Sequence, residues 1–136
     1  MKKCFSLVAP FLFVSLVLFS TAFAADAPKK VLIGVSKIVS HPALDAVVKG
    51  MQDELAAEKI NAAYDVQNAN GDMNAAASIA SKFQSEKVTL AVGVATPTSQ
   101  SLVNTLKGIP IVFTAVTDPV KAGLVASLKK RSESVV

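Results

Sequence analysis

Four times over residues 31–128, a short apolar run rich in valine and isoleucine gives way to a stretch with apolar residues at helical spacing, about every thirty residues. That alternation constrains the fold more than any other feature. A strand followed by a helix and another strand in the same sheet calls for parallel pairing, right-handed crossovers and helices on both faces. The expected fold class is therefore α/β, a doubly wound parallel sheet with strand order 2-1-3-4.

The first run, Val31-Leu32-Ile33-Gly34-Val35, continues into Ser36-Lys37 and reads as a central strand buried on both faces. Ser40-His41-Pro42 opens a helix whose apolar face carries Leu44, Val47, Val48, Met51 and Leu55, with Asp45, Lys49, Asp53 and Glu58 opposite. Residues 60–66 form the second strand, which leaves through the turn signal Asn68-Ala69-Asn70-Gly71-Asp72. Asp72 suits an N-cap for a second helix facing inward with Met73, Ala76, Ile79, Ala80 and Phe83. Residues 88–94 form the third strand, and Leu102, Val103 and Leu106 mark the third helix. Residues 109–115 form the fourth, with Pro110 near its start, where a missing donor is tolerated. Leu124, Val125 and Leu128 suggest one more helix.

In a sheet of this kind a ligand lies beyond the carboxyl ends of the strands, where strand order reverses. The exits are Ser36-Lys37, residues 68–71, Thr96-Pro97-Thr98 and residues 114–118. At the third exit Thr96 reads as an N-cap with Pro97 in the first helical position, which suits its fixed φ. A helix start at a buried strand's end offers unpaired N–H groups and the positive end of the dipole to an anion, and Thr98 and Ser99 add hydroxyls. The plainer reading is that Thr96 only caps its helix. Thr117-Asp118-Pro119 repeats the device, so Asp118 is either a cap or a charge that a ligand at this exit would meet. Ser36 and Asn70 are rim or cleft candidates, although Asn70 before Gly71 also reads simply as a turn residue. His41 either lines the cleft or stands exposed in the first turn, and Lys37 reads as a solvated lysine or a rim charge.

The amino-terminal stretch does not belong to the repeating pattern. Lys2 and Lys3 precede an apolar run over residues 7–19, and Ala22-Phe23-Ala24 supplies small residues for cleavage. Residues 1–24 read as a secretory signal peptide, since the apolar run is shorter than the roughly 20 residues a membrane anchor needs. Cys4 lies ahead of that run, not after it as lipid attachment would require. Residues 25–136 would then form an exported chain without cysteine, relying on a packed core. Without Lys2 and Lys3, 12 basic residues face 10 acidic ones, a net charge of +2 that argues against nucleic acid or a membrane surface as partner. Lys129-Lys130-Arg131 reads as a solvated tail.

Enzyme chemistry finds little to work with. The sequence has one histidine, no His/Asp/Glu cluster at metal-ligand spacing, no Gly-x-Ser-x-Gly elbow, no phosphate loop and no Gly-x-Gly-x-x-Gly. No metal or cofactor is implied. A secreted α/β enzyme or a sensor domain of the same fold class remain the alternatives. The leader and the lack of a DNA-binding helix pair speak against the sensor.

Residues 31–36, the Asn-Ala-Asn-Gly-Asp exit, Gly93-Val94-Ala95-Thr96-Pro97-Thr98 and residues 112–119 together resemble the substrate-binding proteins of bacterial ABC importers. The resemblance covers residues 30 to about 128 and is strongest to the type I periplasmic-binding-fold group associated with aromatic and other amino acids. It implies a Rossmann-like lobe, a small-molecule ligand (an amino acid above all), ABC permease partners and a periplasmic location. It also implies an amino-terminal half-site near Ser36, His41, Asn70, Ala95, Thr96, Thr98, Ser99, Thr114, Ala115, Thr117 and Asp118. Members of the family carry a second lobe that has no counterpart here, so the expectation is a truncated, amino-terminal lobe with impaired capture.

Overall fold

A computed structural model describes residues 30–128. The expected signal peptide and the basic tail lie outside the described residues. Seven elements succeed one another: β1 (Val31–Lys37), α1 (Pro42–Ala57), β2 (Ala62–Asn68), α2 (Met73–Glu86), β3 (Leu90–Val94), α3 (Thr96–Thr105) and β4 (Ile111–Thr114). The strands form one parallel sheet in the order β2-β1-β3-β4, as the alternation predicts.

Each face of the sheet has its own core. On one side Ile33 and Val35 of β1 and Val92 and Val94 of β3 pack with Val48 of α1, flanked by Leu44, Met51 and Leu55. On the other, Ala91 and Ile111 meet Ala76, Ile79, Ala80 and Phe83 of α2, Leu102 of α3 and Leu106 just past the end of α3. Two glycines set how closely the second layer approaches. A Cβ on Gly34 would lie 2.8 Å from the Phe83 ring, and one on Gly93 would lie 2.5 Å from Ser99 Oγ and 2.7 Å from its Cα. Phe83 and the first turn of α3 therefore rest directly on the backbone of the sheet.

The boundaries shift where caps override apolar runs. The second strand starts at Ala62 because Ile60 is spent ending α1: Lys59 takes a left-handed φ of 58°, and the Ile60 N–H donates to Leu55 O at 2.9 Å. The same device, with Lys87 at φ 51°, ends α2 and delays the third strand to Leu90. The fourth strand is Ile111–Thr114; Pro110 precedes it and only accepts, from Ala91 N–H at 3.0 Å. Two residues expected in the core are exposed, Val47 at 38% and Met73 at 50%, because each lies at the edge of its helix's apolar stripe.

The last expected helix is a single turn. Ala122 N–H donates to Asp118 O, then Gly123 takes φ 72° while its N–H reaches Val120 O and the Leu124 N–H reaches Pro119 O. That pairing is a Schellman stop, and Leu124 is buried behind it.

Candidate functional site

The register places the last residues of the strands in one row: Asn68 opposite Lys37, Lys37 opposite Val94, and Val94 opposite Thr114. Ala95 N–H extends the row by donating to Thr114 O at 3.0 Å. All four exits therefore leave from the same edge of the sheet.

Backbone strain concentrates one residue beyond that row. Ala95 has φ 84° and ψ 160°, a region essentially reserved for glycine, and Ala115 has φ 56°. Ala95, not Thr96, is the N-cap of α3, and no side chain caps it. Thr96 is instead the first helical residue and Pro97 the second. The Thr98 and Ser99 hydroxyls expected to face an anion turn back on the chain: Thr98 Oγ1 donates to Val94 O at 2.8 Å and Ser99 Oγ to Ala95 O at 2.8 Å, and Ser101 Oγ likewise donates to Pro97 O at 3.1 Å. Ser99 N–H is also taken, by Ala95 O at 3.2 Å. The N–H groups of Thr96 and Thr98 belong to the first turn, where no carbonyl one turn earlier is available, and Pro97 has none to offer. Thr98 is fully buried and Thr96 half-buried, so of these groups only the Thr96 N–H can face an anion at this exit.

Ser36 lies one residue before the row, in register with Gly93, so its side chain shares the face on which α3 sits. It is fully buried, and its Oγ has no hydrogen-bond partner. At the fourth exit Thr114 is half-buried while Ala115 and Thr117 are exposed. Asp118 is a cap: its Oδ1 accepts from Val120 N–H at 3.1 Å and Lys121 N–H at 3.0 Å. Asn70 is an exposed turn residue; it and Gly71 have φ 52° and 80°, and Asp72 N–H closes the turn on Ala69 O, the pattern of a type I′ turn. His41 is exposed and caps α1 through its own ring.

Lys37 departs from the solvated reading. Its side chain is only 13% exposed, and Nζ pairs with Asp45 in the first turn of α1. That hydrogen bond outweighs desolvation and, with one from Ser40, holds the Asp45 carboxyl below its ordinary range. A lysine ending a central strand, followed by an acidic residue in the next helix's first turn, was the available signal for this pair. Gln100 of α3, also unanticipated, donates to Ala122 O at 2.9 Å and ties the third exit to the fourth. Among the described residues there is no cluster of His, Cys, Asp or Glu suited to a metal, and no helix is long and apolar enough to cross a membrane.

Comparison with known proteins agrees with this architecture. A Tyrosine-binding protein of Clostridioides difficile (strain R20291) is 46% identical over 114 residues, 81% of this chain and 33% of that protein. The ligand-free, open structure of a substrate-binding protein with adhesive properties from Clostridium difficile superposes with a TM-score of 0.74 at 44% identity, over 76% of this chain and 37% of that one. An ABC domain from Streptococcus pneumonia in complex with L-Trp gives 0.74 at 38% identity, over 78% and 37%. The chain thus spans about a third of the length of the curated relative it matches. The family model for the ABC transporter substrate binding protein matches residues 32–136, and the chain belongs to that family.

Proposed function

We propose that this chain supplies one wall of a small-molecule cradle in an ABC importer's capture protein, and that the ligand is an amino acid with an aromatic side chain. The observation that carries the reading is the single row of strand ends, with the start of α3 and half-buried Thr96 beside it. A ligand carboxylate placed there gains a charge-assisted bond to the Thr96 N–H and the favourable end of the α3 dipole. Thr114, Ala115 and Thr117 line the neighbouring exit, and Asp118 contributes negative charge on the side where an ammonium would lie. Ser36 backs the wall from below. Relatives named for tyrosine and crystallised with L-Trp support the choice of amino acid.

Burial between two walls raises the affinity of such a cradle above what one wall supplies. A second wall, an export leader over residues 1–24, a periplasmic location and ABC permease partners complete the reading. Titration calorimetry of the full chain with L-tyrosine and L-tryptophan tests it, with mass spectrometry of the recovered ligand. Saturable heat with the ligand returned unchanged is the expected result. Chemical conversion of the ligand, or equal response to an unrelated sugar, would overturn the reading.

A further inference from the structure

We propose that His41 makes the start of α1 a pH-sensitive cap at the rim of this cradle. His41 is the only histidine in the chain. It occupies the N-cap position with φ −146° and ψ 138°, and its Nδ1 accepts the Ala43 N–H at 3.2 Å. The usual N-cap oxygens of Ser, Thr and Asn accept at any pH a protein survives. An imidazole accepts only through an unprotonated nitrogen, because the imidazolium has two donors and no acceptor. Protonation therefore sets one N–H against another and places positive charge at the positive end of the helix.

Two charged groups bear on that ring. Asp45 lies one turn along α1, and Lys37 of β1 pairs with it. Ser40 Oγ holds the other Asp45 oxygen at 3.1 Å, so His41, Ser40, Asp45 and Lys37 form one local assembly. Its position gives it consequence. The segment between β1 and α1 is fastened to the second exit by Gly71 N–H donating to Ile38 O at 2.7 Å, and Lys37 stands in the row of strand ends. Releasing the cap loosens the turn that carries Asp45, and with it the restraint on Lys37. The cap rests on its own geometry; its effect on capture rests on the amino-acid reading above.

Amide exchange by NMR on the full chain tests the cap, comparing pH 7.5 with pH 5.5 after correction for intrinsic exchange. Ala43 protection should fall about fivefold in the native chain, the scale of a lost N-cap. It should stay level in His41→Asn, which keeps an acceptor that does not titrate. Asn74, whose N–H donates to Asp72 Oδ1 at 2.7 Å, is the control and should not respond. Equal Ala43 protection at both pH values in the native chain, or the same fall in His41→Asn, would overturn the proposal. A working cap in a chain that shows no heat with L-tyrosine or L-tryptophan would overturn the amino-acid reading and leave the cap standing.

Discussion

The third and fourth exits begin with the same device, a hydroxyl or carboxylate residue followed by proline, and end differently. Thr96-Pro97 starts a helix of 10 residues with no side-chain cap at all. Asp118-Pro119 is capped by two hydrogen bonds and yields a single turn. The difference lies in the residues beyond the first turn. Helix α3 lays Ser99 on Gly93 and buries Leu102, whereas the fourth-exit turn meets Gly123, whose positive φ closes it at once. Caps set where a helix begins, and packing decides whether it continues.

The largest test of that contrast is Gly93→Val. The new side chain would collide with Ser99 backbone as well as its hydroxyl, so α3 must lift from the sheet. A loss of about 3 kcal/mol or more is expected in urea unfolding, in the range of severe overpacking. A near-neutral result would mean that α3 does not depend on close approach to β3.

Next in size, Ala95→Gly should stabilise the chain by about 1 kcal/mol, since glycine accepts the backbone conformation that strains alanine. Destabilisation would show that Ala95 does not hold that conformation. Asp118→Ala should cost about 1 kcal/mol, while Thr96→Ala should cost clearly less because Thr96 is not the cap. Equal losses from the two would erase the distinction between the exits.

The smallest effect concerns the edge strand β2, where Lys82 of α2 and Gln67 reach Asp65. Burial raises the Asp65 carboxyl, but those hydrogen bonds outweigh it and leave it below its ordinary value, while Lys82 is raised mainly by its bond to Asp65. A depressed carboxylate stabilises above its unfolded pKa and loses that contribution as pH falls through the folded value; a raised lysine does so below its unfolded pKa and loses it as pH rises through the folded value. Asp65→Asn should therefore lower the melting temperature slightly at pH 7 and have no effect once the native Asp65 carboxyl is protonated in acid. A Tm difference that persists unchanged into strong acid would contradict this.

Most of the fold was legible because binary patterning carries it: valine and isoleucine runs for the strands, periodic apolar faces for the helices. Strand order and the convergence of the exits derive from the handedness of crossovers. The illegible parts depend on single backbone angles. Nothing in Ala95 announces a conformation glycine normally adopts, and Lys59 and Lys87 end helices with none of the composition of a stop signal. The hydroxyls of Thr98 and Ser99 were legible as polar groups at the right place, but not as donors already committed to the chain's own carbonyls. The burial of Lys37 runs against the ordinary solvation of a lysine at a strand end, and its only signal was Asp45, eight residues on.

The central claim is that the carboxyl ends of the strands form the wall a ligand meets. Mapping backbone amide shifts as L-tyrosine is added to the labelled full chain tests it most directly. The largest changes are predicted at Thr96 and Thr98 and along residues 114–118, with little at Asn61 and Thr89 near the opposite end of the sheet. Changes centred on Asn61 and Thr89, with the strand exits unmoved, would contradict it.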